Sequence, residues 1–461
     1  MDRMHTLDAE FLHLEDRAGH LHIAGIAVFD GDPPSEQDLS DLLEAKLHLI
    51  PRYRQRVRAV PFELGRPVWV DDPHFQLRYH IRHTALPAPG DEDALSSLMG
   101  RLMSQPLDPE RPLWEIWLVE GLADDRWALI FKVHHCMVDG ISGVGLLTVL
   151  LDIEPRTTIP LPQPWTPEPE PSGAALVLGA WAGLGEDLAD RARRLPGALL
   201  HPERTARAMA SAVEGLVGFG RNLRTTPPLS IEGSIGPHRS WAQASVDLGD
   251  VKKVGATLGG TVNDVVLAAV TRGYRDLLVA HGDDPSGAVV RTLVPVSVRR
   301  EDGAGVPDNR VSALLLELPV DIVDPVERLA DVRERMSALK SSHMAEAGEW
   351  LAATADLAPP IVVGQLSRLA VRAASRLPQH SINTVTTNVP GPQFPLYCLG
   401  HQMREYRPFV PIFHGMRVAT AILSYDGRIS FGVTGDFDTV PDVAVLADGA
   451  AAGVDELLRR T

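Results

Sequence analysis

The segment 134–140, with the sequence HHCMVDG, constrains most strongly what this chain can fold into. It follows an apolar run, residues 127–133, whose length and composition are typical of a buried strand. Gly140 and Gly143 then permit a tight turn, and a helical pattern begins directly afterwards. We therefore predict a strand that ends in two histidines and turns into a helix. In open α/β sheets, functional sites usually lie at this carboxyl edge.

The two histidines should have different surroundings, because successive side chains of a strand point to opposite faces. One of His134 and His135 should face a cavity and the other the core. Histidine is the usual side chain for accepting a proton near neutral pH, so a catalytic site is favoured over a buried structural histidine. Asp139, after the turn, could hold an imidazole or pair with an arginine. A zinc site is disfavoured because the rings diverge and His-x-x-x-His and Cys-x-x-Cys spacings are absent.

Further motifs follow one another along the chain. They are residues 7–11 (LDAEF), 112–114 (PLW), 263–264 (ND, within TVNDVVLA) and 387–392 (TNVPGP). Together with HHxxxDG, this set resembles the bacterial wax ester synthase/diacylglycerol acyltransferase (WS/DGAT) family. HHxxxDG alone indicates only the CoA-dependent acyltransferase superfamily, which includes the condensation domains of peptide synthetases. The whole set spans nearly the entire chain and is specific for the family.

The resemblance implies transfer of a fatty acyl group from acyl-CoA, as a substrate, to a hydroxyl of diacylglycerol or a long-chain alcohol, with no cofactor. It makes His135 the general base, whereas His134 is expected to face the core or shape the turn. The superfamily's aspartate typically pairs with an arginine, so we expect Asp139 to pair with Arg299. The amide of Gly140 is a candidate donor to the oxyanion. The alternative is an enzyme of the same superfamily with a carrier-protein donor or a polyketide or sugar acceptor.

The remaining motif residues have structural interpretations beside the functional ones. The alternating pattern predicts that Trp114 lies in the core or in a cavity wall, and Pro112 belongs to the same motif. Asp264 lies with Asn263 in the first turn of a predicted helix, where an acid suits the positive end of the helix dipole. Asn388 could place its amide near a tunnel. We therefore group these residues as structural or tunnel-lining candidates.

Hydrophobic periodicity predicts the other elements. Strands are predicted at residues 20–29, 68–70, 75–80, 112–120, 239–246, 291–298, 311–318, 381–389, 419–424 and 429–434. Helices are predicted at residues 35–48, 91–105, 262–278, 326–339, 359–377 and 441–459. The strand at 112–120 should pair with the strand at 127–134 across a short turn.

Composition excludes several protein classes. The chain has 461 residues and is 44% hydrophobic, which is ample for a large core and favours two or more domains. A net charge of −16 argues against a nucleic-acid partner. Two cysteines form no disulfide framework, which fits a reducing cytoplasm. The N-terminus lacks the apolar core of a signal peptide, and no apolar run reaches the roughly 18 residues of a spanning helix.

A proline-rich stretch, residues 154–172, predicts a stiff linker. We divide the chain into an N-terminal acyltransferase lobe with HHxxxDG (1–153), a linker and helical connector (154–229) and a C-terminal acyltransferase lobe (230–461). The predicted fold is α/β, with two related lobes of mixed sheets, as in condensation domains, and an active-site tunnel between them. The arginine-rich residues 173–224 form either a helical connector or an amphipathic surface that contacts a membrane or lipid droplet peripherally from the cytoplasm.

Overall fold

A computed structural model describes residues 2–137, 149–182, 228–297, 311–341 and 382–461. The strands are β1 (Asp2–Arg3), β2 (His22–Asp30), β3 (Gln55–Arg58), β4 (Val68–Asp71), β5 (Ile81–Ala85), β6 (Trp114–Leu122), β7 (Arg126–His134), β8 (Glu232–Gly233), β9 (Arg239–Asp247), β10 (Val290–Ser297), β11 (Val311–Leu318), β12 (Thr384–Pro390), β13 (Tyr397–Cys398), β14 (His401–Phe409), β15 (Gly415–Met416), β16 (Val418–Tyr425) and β17 (Arg428–Asp436). The α-helices are α1 (Thr6–Leu14), α2 (Glu36–Lys46), α3 (Leu77–His80), α4 (Glu92–Met103), α5 (Gly173–Ala182), α6 (Leu248–Leu258), α7 (Val262–Ala280), α8 (Pro325–Ser341) and α9 (Ala444–Leu458).

The first large sheet contains the strand that ends in the two histidines. Its order is β13-β14-β2-β7-β6-β5. Strand β7 pairs antiparallel with β2 and with β6, which confirms the predicted pairing of the two apolar runs. Strand β5 runs parallel to β6, so the sheet is mixed. Strand β14 comes from residues far along the chain and pairs with β2.

The second large sheet has the order β11-β10-β12-β16-β17-β9. Strand β12 runs parallel to both of its neighbours, and the other pairs are antiparallel. Helices α7 and α9 lie over this sheet and share one apolar core with it. The prediction of an α/β fold with mixed sheets in two lobes is therefore confirmed.

The two sheets contact each other directly. The amide of Arg239, at the start of β9, donates to the Ser104 hydroxyl after α4, at 2.9 Å. Gly100 of α4 lies so close to β9 that an added Cβ would stand 2.5 Å from the Arg239 carbonyl oxygen. Further along β9, the Trp241 indole N–H donates to the Pro408 carbonyl of β14, at 3.3 Å. These contacts join the start of β9 to the end of α4 and to the end of β14.

Alternation along β7 determines which side of the first sheet each side chain occupies. One face packs under α1 and α2 and carries Trp127, Leu129, Phe131 and Val133. The opposite face packs under α4 and carries Ala128 and Ile130. Lys132 belongs to this second face, and its buried ammonium donates to the Leu102 and Gln105 carbonyls at the end of α4. Burial lowers the pKa of Lys132 to about 8. His134 continues the same face.

Some predicted elements differ from the structure. The alternation at residues 75–80 predicts a strand, but Leu77–His80 forms one helical turn; the strand prediction there is wrong. Residues 155–172 contain no helix or strand. The predicted helix at 359–377 lies outside the described residues.

Within the described ranges, no single helix is long and apolar enough to cross a bilayer. Helices α6 and α7 meet the length and composition test only as a pair bent by 101°.

Candidate active site

The two histidines at the end of β7 have different surroundings, as predicted, although only His134 belongs to the strand. His134 is the last residue of β7 and lies opposite His22 of β2. His135 begins a short 3₁₀ turn, residues 135–137, and its amide donates to the Leu21 carbonyl at 2.9 Å. The main chain therefore changes direction between them, which separates the two rings.

The ring of His134 is buried, with 1% of the residue exposed. Its Nδ1 accepts a hydrogen bond from the Cys136 amide at 3.1 Å. Its Nε2 lies 3.3 Å from Oε1 of Glu15, the residue that follows α1. His22 lies on the other side of this carboxylate, with its Nε2 at 3.4 Å. His134 is thus enclosed by polar groups of the protein.

His135 is half-buried, and its ring packs against Phe11 of α1 with the ring centroids 4.1 Å apart. Its Nδ1 is buried and has no hydrogen-bond partner among the described residues. Burial lowers the pKa of His135, its own backbone carbonyl opposes this effect, and the neighbouring His134 adds to it. The imidazole is therefore neutral near pH 7 and able to accept a proton. This is the form that a general base requires.

Cys136 follows directly, and its thiol is buried against the apolar face of the first sheet. Burial is the main cause that raises the pKa of this thiol, and the nearby carboxylates of Asp8 and Glu15 add to it. A protonated, buried thiol is a poor nucleophile. The sulfur is therefore poorly suited to act as a nucleophile.

Trp114 is fully buried in the core of the first sheet. Its indole N–H donates to the Tyr53 carbonyl at 2.8 Å, and its ring stacks on His80 with centroids 4.4 Å apart. The His80 Nδ1 in turn bonds the Trp114 carbonyl at 2.8 Å. Pro112 is buried just before this strand. The PLW motif thus contributes to packing beneath the site.

Asn263 and Asn388, from two separate motifs, contact each other. The Asn388 side-chain amide donates to the Asn263 Oδ1 at 3.0 Å, which joins β12 to the start of α7. Asp264 has a different role. Its Oδ2 accepts from both the amide and the hydroxyl of Thr261, each at 2.8 Å, and this forms a capping box. The expected structural role of Asp264 agrees with this geometry.

Three predicted site residues, Asp139, Gly140 and Arg299, lie outside the described residues. The pairing of Asp139 with Arg299 and the oxyanion role of the Gly140 amide therefore stay predictions.

Glu15 and His22 are site residues that the sequence patterns do not single out. The available signal is weak: His22 begins a strand predicted at 20–29, and only the register of β2 against β7 places it beside His134. Glu15, His22 and His134 each present a ligand atom, all within 4.8 Å of one another. Among the described residues, this cluster is the one that could hold a metal ion.

Two family models match the chain. The wax ester synthase/diacylglycerol acyltransferase catalytic domain matches residues 4–266, and the WS/DGAT C-terminal domain matches residues 308–457. The chain is also 37% identical to a probable diacylglycerol O-acyltransferase, tgs1, of Mycobacterium tuberculosis, over 99% of this chain and 96% of that protein.

Solved structures share the fold. The wax ester synthase/diacylglycerol acyltransferase from Marinobacter aquaeolei VT8 is 25% identical and covers 99% of both chains with a TM-score of 0.70. The first condensation domain of the calcium-dependent antibiotic synthetase is 17% identical and covers 99% of this chain and 96% of its own, with a TM-score of 0.60. The second likeness concerns the fold alone. The chain belongs to the wax ester synthase/diacylglycerol acyltransferase family, and it is an acyltransferase.

Proposed function

We propose that this enzyme transfers a long-chain fatty acyl group from acyl-CoA to a lipid hydroxyl, with His135 as the general base. The acceptor is diacylglycerol, which gives triacylglycerol, or a fatty alcohol, which gives a wax ester. The observation that carries the proposal is the half-buried imidazole of His135 at the carboxyl end of β7, where burial lowers its pKa. The name of the mycobacterial relative supports diacylglycerol as the first acceptor to test.

The proposed step needs one base and no cofactor. His135 removes the proton of the acceptor hydroxyl while the oxygen attacks the thioester carbonyl, so a C–O bond forms. Because Nδ1 of His135 is buried, Nε2 is the nitrogen that remains for the acceptor. The C–S bond then breaks, and the imidazolium returns its proton to the departing CoA sulfur. Thiolate is a good leaving group, so no acyl-enzyme is required.

The developing oxyanion needs hydrogen-bond donors, and a lost donor of this kind costs about 10²- to 10³-fold in kcat. We assign this role to the backbone amide of Gly140, at the start of the helix predicted after the motif. We assign to Asp139 and Arg299 an ion pair that ties the two lobes together beside the site. The support for these assignments is the HHxxxDG motif and its family.

We further propose that the enzyme works at a membrane or lipid-droplet surface, reached from the cytoplasm. Helix α5 packs against residues 60–70 through Leu176 and its neighbours. Around this contact, large apolar side chains are exposed: Phe62 by 85%, Leu178 by 70% and Trp181 by 61%. Exposed aromatic and aliphatic groups on a helix and on the segment that it packs against favour contact with lipid. The acceptors named above are themselves water-insoluble.

The substrates are tested by measuring release of free CoA thiol from palmitoyl-CoA, with dioleoylglycerol or hexadecanol as acceptor, and by separating the lipid products. We expect acceptor-dependent release and formation of triacylglycerol or wax ester. Palmitoyl carrier protein serves as the comparison donor. No transfer from palmitoyl-CoA to either acceptor, with transfer from the carrier protein, would contradict the proposed donor.

The lipid surface is tested by sedimentation with vesicles that contain anionic phospholipid. We expect Phe62→Ser with Trp181→Ser to weaken binding, while turnover of a detergent-dispersed acceptor stays unchanged. Exchange of Val279→Ser, an apolar side chain exposed by 55% on α7, is the matched control. Equal vesicle binding by all variants would contradict the assignment of this surface.

A further inference from the structure

Glu15 lies between the start of β2 and the end of β7. Its contacts involve the backbone next to His135. The residue follows α1 directly, and its side chain is 25% exposed. Its Oε1 accepts a hydrogen bond from the Leu21 amide at 2.8 Å. The same oxygen lies 3.3 Å from Nε2 of His134 and 3.4 Å from Nε2 of His22. One carboxylate oxygen thus faces three nitrogens.

The hydrogen bonds fix where His134 carries its proton. The Cys136 amide is a donor, so the His134 Nδ1 that receives it must present a lone pair. A neutral His134 therefore carries its hydrogen on Nε2, which lies 3.3 Å from the Glu15 carboxylate. This contact is electrostatic, because Nε2 makes no hydrogen bond among the described residues. Within the described residues, Nδ1 of His22 is buried without a partner, and burial is the main cause that lowers the pKa of His22 well below its ordinary value.

The same contacts argue against a metal ion at this cluster. A metal needs the lone pair of Nε2, but the Cys136 bond places a hydrogen there. The Leu21 amide also points a donor at the carboxylate oxygen. The positive side chains of Lys132 and Arg239 act on His22 electrostatically, and a further cation would be repelled by them. A carboxylate that accepts the Leu21 amide and lies beside the protonated Nε2 of His134 fits these groups better.

Two routes connect Glu15 to the backbone of His135. In the first, Leu21 donates its amide to Glu15 and accepts the His135 amide at its carbonyl, at 2.9 Å. In the second, Glu15 faces the ring of His134, which accepts the amide of Cys136. The residues on both sides of His135 are therefore linked to one carboxylate.

We propose that Glu15 is a positioning residue that orients the turn carrying His135 and fixes the proton of His134 on Nε2. This inference rests on the proposed role of His135 as the general base. It assigns a role to a residue outside the HHxxxDG motif, on the loop between α1 and β2.

The first test is Glu15→Gln, which preserves the shape of the side chain and removes its charge. We expect kcat for acceptor-dependent CoA release to fall about 10- to 100-fold, because a small displacement of a catalytic group is costly. The KM for palmitoyl-CoA should stay within about twofold, since Glu15 is not assigned any contact with the donor. The matched control is Glu120→Gln, which removes another carboxylate paired with a histidine, His83, at 2.6 Å. Its kcat should not change.

The second test reads the proton position directly by ¹⁵N NMR of the histidine rings. We expect His134 of the wild type to be neutral with the hydrogen on Nε2, and Glu15→Gln to broaden or shift this signal. A wild-type His134 with its hydrogen on Nδ1 would overturn the proposal, and this result does not depend on whether the variant folds. Elemental analysis that finds one bound metal per chain, lost in Glu15→Gln, would overturn it in favour of a metal site.

A third variant separates this inference from the proposed function. If His135→Ala abolishes transfer but Glu15→Gln keeps wild-type kcat, the positioning role is wrong and the base stands. If His135→Ala retains full transfer, His135 is not the base, and the positioning role of Glu15 falls with it. Glu15→Asp, which keeps the charge on a shorter side chain, should restore part of the lost kcat if position and charge both matter.

Discussion

Asp264 offers a sharp test, because its motif suggests a functional residue while its contacts are those of a helix cap. Its carboxylate accepts two hydrogen bonds from Thr261, and the Thr261 hydroxyl accepts the Asp264 amide at 3.3 Å. Asp264→Ala removes one half of this capping box at the start of α7, the long helix that lies over the second sheet. We expect a less stable enzyme with an unchanged active site.

The size of the effect follows from the contacts. Loss of a capping interaction costs about 0.5–2 kcal/mol. Removal of an acid from the first turn adds about 0.3–1 kcal/mol through the helix dipole. The free energy of unfolding should thus fall by roughly 1–3 kcal/mol. At about 2 °C per kcal/mol, Tm should fall by roughly 2–6 °C.

The assay compares Tm and kcat for wild type, Asp264→Ala and Thr261→Ala, together with the double variant. The double variant should be little less stable than either single one, because both changes break the same box. Thr261→Ser retains the hydroxyl and is the control. A loss of more than about tenfold in kcat at an unchanged Tm in Asp264→Ala would contradict a capping role, since a cap affects stability and not chemistry.

Three other predictions concern packing and pH. Asn263→Ala and Asn388→Ala should each lower Tm, and their coupling in a double-mutant cycle should be about 0.5–1.5 kcal/mol; additive effects would contradict the bond between them. Trp114→Phe should destabilise by about 1–3 kcal/mol because the buried Tyr53 carbonyl loses its donor, with kcat unchanged; an unaltered Tm would contradict this. Burial lowers the pKa of His80 to about 4 in the folded enzyme. As the pH falls below 6.5, His80 is therefore protonated in the unfolded chain before it is protonated in the folded one. Stability should therefore decline by roughly 3 kcal/mol between pH 6.5 and 4, and His80→Gln should lose this part of the pH dependence in thermal unfolding.

Local signals explain why many elements could be predicted from the sequence. The apolar run at 127–133 predicts a strand, and β7 spans Arg126–His134. Thr261 and Asp264 mark a helix start, and α7 begins at Val262. In each case neighbouring residues supply both the pattern and the boundary, so no distant contact is needed.

Elements that depend on distant contacts were not predicted. Strand β14 carries Arg404, Glu405 and Arg407, and this sequence does not indicate a strand in a buried sheet. The strand pairs with β2, and its buried Arg407 forms ion pairs with Glu405 and with Glu92 of α4. A charged residue is buried only where oppositely charged partners surround it. One of these partners, Glu92, is distant in sequence, so the local sequence does not reveal it.

The site divides in the same way. Alternation along one strand predicts that His134 and His135 differ in their surroundings. The position of Glu15 depends on a loop and on the register of β2 against β7, which no local pattern encodes. The contact of Asn263 with Asn388 likewise requires the second sheet to be assembled.

In the proposed mechanism, the neutral imidazole of His135 removes the proton of the acceptor. The most direct test measures acceptor-dependent release of CoA thiol as a function of pH, for wild type, His135→Ala and His83→Ala, an exposed histidine of β5. Because burial lowers the pKa of His135, the wild-type rate should fall only below pH 6.5, where the base becomes protonated. His135→Ala should lose about 10²- to 10⁴-fold in rate, and its remaining rate should no longer decrease below pH 6.5. His83→Ala should match the wild type. A His135→Ala enzyme that keeps the wild-type rate and the same decrease at low pH would show that His135 is not the base.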